Sequence, residues 1–254
     1  MGKQLVGRLQ PQIALVTKAV SLCQNGLESV TINGQSTSIE KQKVIACVML
    51  ARLLEISESM ILLARGGFSV EVTASLRNFL EAYFIFGNVS KNPSFVPQYI
   101  NSDLKAREKL INAVVKHKTE WFEPVNKYAT AEVRTELKEQ INSVGAVESK
   151  CYEYAKAIEC VEIYDSIYRI ASAATHSTPR SLELYVTEDN KGVVVAVHRH
   201  PQSGNIAERL LTLGELLLNV RKGFDELFEI DASNEIKVLQ EELNAISTDG
   251  YGTA

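Results

Sequence analysis

Much that marks common chemistries is missing from this chain. Its 254 residues hold no G-x-x-x-x-G-K-[ST] loop, no G-x-G-x-x-G after a strand, no H-E-x-x-H and no G-x-S-x-G. Nucleotide-dependent, zincin and α/β-hydrolase chemistries therefore lose their usual support. Positive charge is in short supply: 27 Lys and Arg stand against 31 Asp and Glu, for a net charge of −4. No global field draws such a protein onto nucleic acid or an anionic membrane, and a site for a polyanion has to be a local patch. No helix joins a dense basic face to a preceding helix-turn unit, so no DNA-reading element is expected.

The four cysteines, Cys23, Cys47, Cys151 and Cys160, are dispersed and form no C-x-x-C pair. That usage fits a reducing compartment and gives no zinc framework. Long apolar runs are also lacking. The most apolar segment, VTASLRNFLEAYFIFG, carries Arg77 and Glu81 and is shorter than the ~20 residues a bilayer requires. The opening MGKQLVGRLQPQ has no secretory signal and no Ser or Thr at the sixth position for myristoylation. The expectation is a cytoplasmic protein without a membrane segment.

What is present is ordinary globular material: 45% hydrophobic and 23% charged residues, enough for a packed core. Apolar spacing predicts a mainly α fold, a helical bundle with one β-hairpin inserted before the last long helices. Helices are expected over 3–23, with Pro11 either kinking or starting the first, then from Ser38 as N-cap to Arg65, where Gly66-Gly67 stops it. Ser69 is the next N-cap candidate, opening a helix to about Val89 that is apolar nearly all round and therefore central. Further helices are expected to about Lys118, over 132–140, over 147–174 and over 206–228, with a frayed helix and a polar tail after them. Alternating β-branched residues at 182–187 and 193–199, around Glu188-Asp189-Asn190-Lys191-Gly192, predict the hairpin. No repeat and no long linker appears, so the reading is one helical domain over 1–254. Within it, 1–66 hold N-terminal helices, 67–230 a core with the hairpin at 182–199, and 231–254 the last helix and tail.

On a helix over 147–174, residues advance by about 100° each. Glu162, Asp165, Arg169, Ser172 and His176 then share one face, while Cys160, Ile163, Tyr164, Ile167 and Ala171 face the core. Asp165 can pair with Arg169 one turn on. One reading is a solvated stripe with surface ion pairs. The other is a catalytic couple, because histidine moves a proton near neutral pH and the arginine fork suits phosphate. Arg77 and Glu81, four apart on the apolar helix, are expected to be buried and paired. They act either as a structural ion pair or as supports, with Glu81 or Asp165 orienting His176 or Arg169. Arg180, His198, Arg199 and His200 form a candidate basic rim for a phosphate-bearing partner. His198 and His200 alone do not make a metal site, and no metal or cofactor is expected. The basic run 105–118 reads as a solvated helix face, and Trp121 and Phe122 as a hydrophobic anchor for the loop after it.

The run Tyr168-Arg169-Ile-Ala-Ser172-Ala-Ala-Thr-His176-Ser177-Thr-Pro179-Arg180-Ser-Leu182, together with Arg77-Asn-Phe-Leu-Glu81-Ala before it, resembles the signature of a prokaryotic family catalogued as domain of unknown function 5677. The likeness covers roughly 70–230, hairpin included. Arg169-x6-His176 also resembles the R-x4–6-H motif of HEPN domains, helical bundles of prokaryotic toxins and defence systems. That likeness implies a homodimer in which two motifs meet and cut RNA through its 2′-hydroxyl without metal, His176 handling protons and Arg169 holding phosphate. The alternative is a non-catalytic helical interaction or dimerisation module.

Overall fold

The computed structural model describes residues 7–32, 37–117, 119–176, 178–199 and 205–251, with the backbone alone at Arg180 and 249–251. His200 lies outside the described residues, as does the side chain of Arg180. The fold is mainly α-helical with a single two-stranded antiparallel hairpin among the described residues. Two compact units form: 1–91 with 152–254, and 92–151.

In the larger unit, α1 (Gln10–Ser29) carries Pro11 in its first turn. The ring sits in the first turn, where the missing N–H has no helical partner to lose. This helix runs past the loop expected from Asn25. In α2 (Ser38–Arg65) the N-cap is Thr37 rather than Ser38, and Thr37 Oγ1 accepts the Glu40 N–H at 3.3 Å. Its end is a glycine stop: Gly67 takes φ 75°, and Phe68 N–H bonds back to Leu63 O at 3.0 Å, satisfying carbonyls the helix leaves open. Next, α3 (Ser69–Lys91) is the central helix that its all-round apolar sequence predicts. Leu76, Phe79, Leu80, Phe84 and Phe86 are buried along it.

The smaller unit holds α4 (Phe95–Lys116), two short helical turns and α5 (Ala131–Val144). Here α4 packs on α5, and Val114, Leu137 and Ile141 are buried. Three basic residues of α4 are committed to acids: Arg107 to Asp103, Lys105 to Glu108 and Lys109 to Glu148. Trp121 is 91% exposed, so it anchors nothing within its unit, contrary to expectation, whereas Phe122 stacks on His117.

The helix expected over 147–174 is broken. First comes α6 (Cys151–Ala157), which ends where Glu159 turns left-handed at φ 61° and Cys160 N–H bonds back to Ala155 O. A new helix starts at Val161, widens into a π turn over Tyr164–Tyr168 and continues as α7 (Arg169–Thr175). The hairpin is shorter than predicted. Pro179–Leu182 and Glu183–Tyr185 are helical turns, started by a proline at the first position, and the strands are β1 (Val186–Glu188) and β2 (Val194–Val197). Val186 pairs with Val197 and Thr187 with Ala196, and a bulge follows Thr187. Asp189 Oδ1 accepts the N–H groups of Lys191 and Val193 to close the turn. Finally α8 (Ile206–Phe228) packs on α1, α2 and α3, and α9 (Ser233–Tyr251) lies on α8 and α1 as a regular helix instead of a frayed one.

Candidate functional site

The π turn sets the geometry of the site. It has more residues per turn than an α-helix, so a 100° wheel drawn through it fails. Tyr164 and Tyr168 stack on each other at 4.7 Å, and both rings lie beside Phe84 of α3. Tyr168 is thereby seated against α3, 8% exposed, with its hydroxyl donating to Glu81 Oε1 at 2.9 Å. Arg77 completes the group: its Nη2 bonds Glu81 Oε1 at 2.8 Å and the Tyr168 oxygen at 3.3 Å, and its guanidinium lies 5.4 Å from the Tyr168 ring centre.

Arg77 and Glu81 therefore do pair, but their side chains stay 21% and 37% exposed, so they are half-buried rather than sealed in. They engage neither Arg169 nor His176 by an ion pair or hydrogen bond. Tyr168 takes the place foreseen for those two. The sequence signal was its position at the head of the motif, directly before Arg169.

Arg169 projects on the outer side of α7, 67% exposed, and pairs with Asp165 at 2.9 Å. It lines an open hollow of about 670 Å³. The apolar walls come from Val70, Ile170, Ala173, Ala174 and Leu184, and the polar groups are those of Ser69, Thr73, Ser181, Asn205, Arg169 and Arg209. Two helices begin at this hollow, α3 at Ser69 and α8 at Ile206. His176 closes α7 as its exposed C-cap residue and is not among the lining residues. The hollow thus brings Arg169 together with Arg209, a residue sequence reasoning missed, and leaves His176 at the end of the same helix.

The basic rim is placed only in part. His198 follows β2 instead of lying in it, and its Nε2 is 2.8 Å from Thr187 Oγ1, so its ring is engaged across the hairpin. Arg199 is exposed. Among the described residues no three His, Cys, Asp or Glu side chains gather to hold a metal ion, and no helix is long and apolar enough to cross a membrane.

Fold and hollow together describe a helical bundle with a cationic, partly apolar surface site built on two helix starts. The chain matches the model of a family of unknown function (DUF5677) over residues 43–193, more than half its length, and it belongs to that family. The match starts earlier than the motifs alone suggest and stops at the hairpin turn. It includes Arg77, Glu81, Tyr168, Arg169 and His176 but not Arg209. No curated protein and no solved structure matches the chain.

Proposed function

We propose that the protein is a HEPN-like, metal-independent RNase of a toxin or phage-defence type, acting as a homodimer at Arg169 and His176. What supports this reading is the exposed, phosphate-suited fork of Arg169 at the mouth of a hollow without a lining carboxylate, one short helix away from an exposed histidine. In the step, His176 of one copy takes the proton of a ribose 2′-hydroxyl. The freed oxygen attacks the adjacent phosphorus. The bond to the 5′ oxygen breaks, and His176 of the second copy protonates that oxygen. The products are a 2′,3′-cyclic phosphate and a 5′-hydroxyl. Arg169 balances charge on the non-bridging oxygens. Asp165 holds the Arg169 fork, and the Tyr168–Glu81–Arg77 group holds α7 on α3.

The test is cleavage of a labelled single-stranded RNA in the presence of a chelator. Wild type is expected to cut. His176→Ala and Arg169→Ala are expected to lose about a hundredfold or more of the rate, the usual contribution of a general base or a charge-stabilising donor, with unchanged helical circular dichroism. Intact RNA with wild type, or full activity in His176→Ala, rejects the proposal.

A second reading, a helical dimerisation module without turnover, is favoured by one observation. The hairpin exposes Val193, Val194, Val195 and Val197, each half or more accessible, on a two-stranded sheet with open edges. Sedimentation of Val195→Lys against wild type separates the two: a dimer lost in the variant while wild type leaves RNA intact supports the module.

A further inference from the structure

Arg209 stands where a cation is out of place. It lies in the first turn of α8, beside the positive end of the helix dipole, a position that favours anions over cations. Its Nε is buried with no hydrogen-bond partner, and it makes no ion pair among the described residues. On the opposite wall Ser69 is only 7% exposed, and its Oγ too is without a partner. Buried polar groups in folded proteins are almost always bonded, so two orphaned donors in one hollow mark a missing acceptor. Asn205, the N-cap of α8, makes no side-chain capping bond and also lines the hollow. Arg169 brings a second guanidinium from α7, exposed and held on one side by Asp165. Among the described residues nothing on the walls offers a negative charge.

We infer that this hollow binds a phosphate monoester of nucleotide size. Its phosphate would lie between Arg209 and Arg169, over the starts of α3 and α8, where helix ends attract anions. Its body would rest on Val70, Ile170, Ala173 and Leu184. The volume of about 670 Å³ is that of a small-molecule site and far more than a bare phosphate fills. The inference shares Arg169 with the RNase reading and rests on it only in taking the ester to be a nucleotide. It requires no turnover.

The experiment is isothermal titration calorimetry with adenosine 5′-monophosphate, adenosine and inorganic phosphate as probes. The monophosphate binds at least about tenfold tighter than adenosine, as charge-assisted hydrogen bonds to phosphate require, and tighter than inorganic phosphate. Arg209→Gln weakens it by about tenfold or more, whereas Arg52→Gln on the outer face of α2 leaves it unchanged. Ala173→Phe, which fills the hollow and keeps both charges, abolishes it. If Arg209→Gln loses its helical circular dichroism, Arg209→Lys and Ala173→Phe decide. Equal affinity for adenosine and its monophosphate, or wild-type binding by Arg209→Gln, overturns the inference. Binding without RNA cleavage rejects the RNase reading alone, and cleavage without mononucleotide binding rejects this one alone.

Discussion

Arg221 carries its charge into a nearly dry place. Its side chain is 6% exposed; Nε donates to Asp225 Oδ1 at 2.6 Å, and Nη1 donates to the Leu22 carbonyl of α1. Asp225 Oδ2 in turn accepts the Ala232 N–H. Gly26 permits the approach, because a β-carbon there would stand 2.1 Å from Nη1. Burial pushes the Asp225 carboxyl up despite the guanidinium beside it, and pushes the nearby Cys23 thiol up to about 12. Removing one partner of such a pair strands the other, so Arg221→Ala is expected to cost roughly 3–5 kcal/mol of stability. Urea unfolding measures this, and a loss under about 1 kcal/mol would mark the pair as a surface-like one. Sequence alone could not rank the pairs. Arg77/Glu81 and Arg221/Asp225 share the same spacing of four, and the apolar surroundings of the first pointed to the wrong one as buried. Which pair is covered depends on the helix that docks over it, and spacing does not carry that information.

At the scale of elements, the π turn over Tyr164–Tyr168 links α3 to α7. Periodicity runs a single helix through 147–174, because neither the left-handed break at Glu159 nor an inserted residue is visible to a wheel that assumes 3.6 per turn. The π turn seats Tyr168 beside Phe84 of α3. Its hydroxyl bonds Glu81 and Arg77, and a hydroxyl bond of that kind contributes about 1 kcal/mol. Tyr168→Phe is expected to lose about that much in urea unfolding while keeping the ring stack. Glu81→Gln should lose less than Glu81→Ala, because the amide oxygen still accepts. A Tyr168→Phe protein as stable as wild type would show that packing alone seats α7. The hairpin was legible as a pattern of alternating β-branched residues. Its true start was not, because Glu183–Tyr185 forms a helical turn where the strand from Leu182 was expected.

For the molecule as a whole, the −4 net charge means that affinity for a polyanion comes from few contacts. With Arg169 and Arg209 as the phosphate-facing cations, the logarithm of RNA affinity should fall with that of salt concentration with a slope of about −1.4 per protomer, the value for two single-strand contacts. Fluorescence anisotropy across a salt series measures it, and a slope of about −6 or steeper would place the binding surface elsewhere. The mainly α class and the half of the site held by the motif were readable because each lies within one stretch of chain. The hollow was not. It draws on 69–73, on 169–174, on Ser181 and Leu184 and on 205–209, and no spacing rule connects segments brought together only by packing on α3.

The family match ends at residue 193, yet the body that supports the matched segment does not. A chain trimmed to the match would discard α1 and α8, and with them Leu210, Leu213, Leu217 and Phe224, all without solvent contact. The bared flank of α3 would then be a sticky hydrocarbon strip. Whatever is shared along 43–193 therefore has to be expressed with its flanks attached, or it will be judged insoluble for want of a lid.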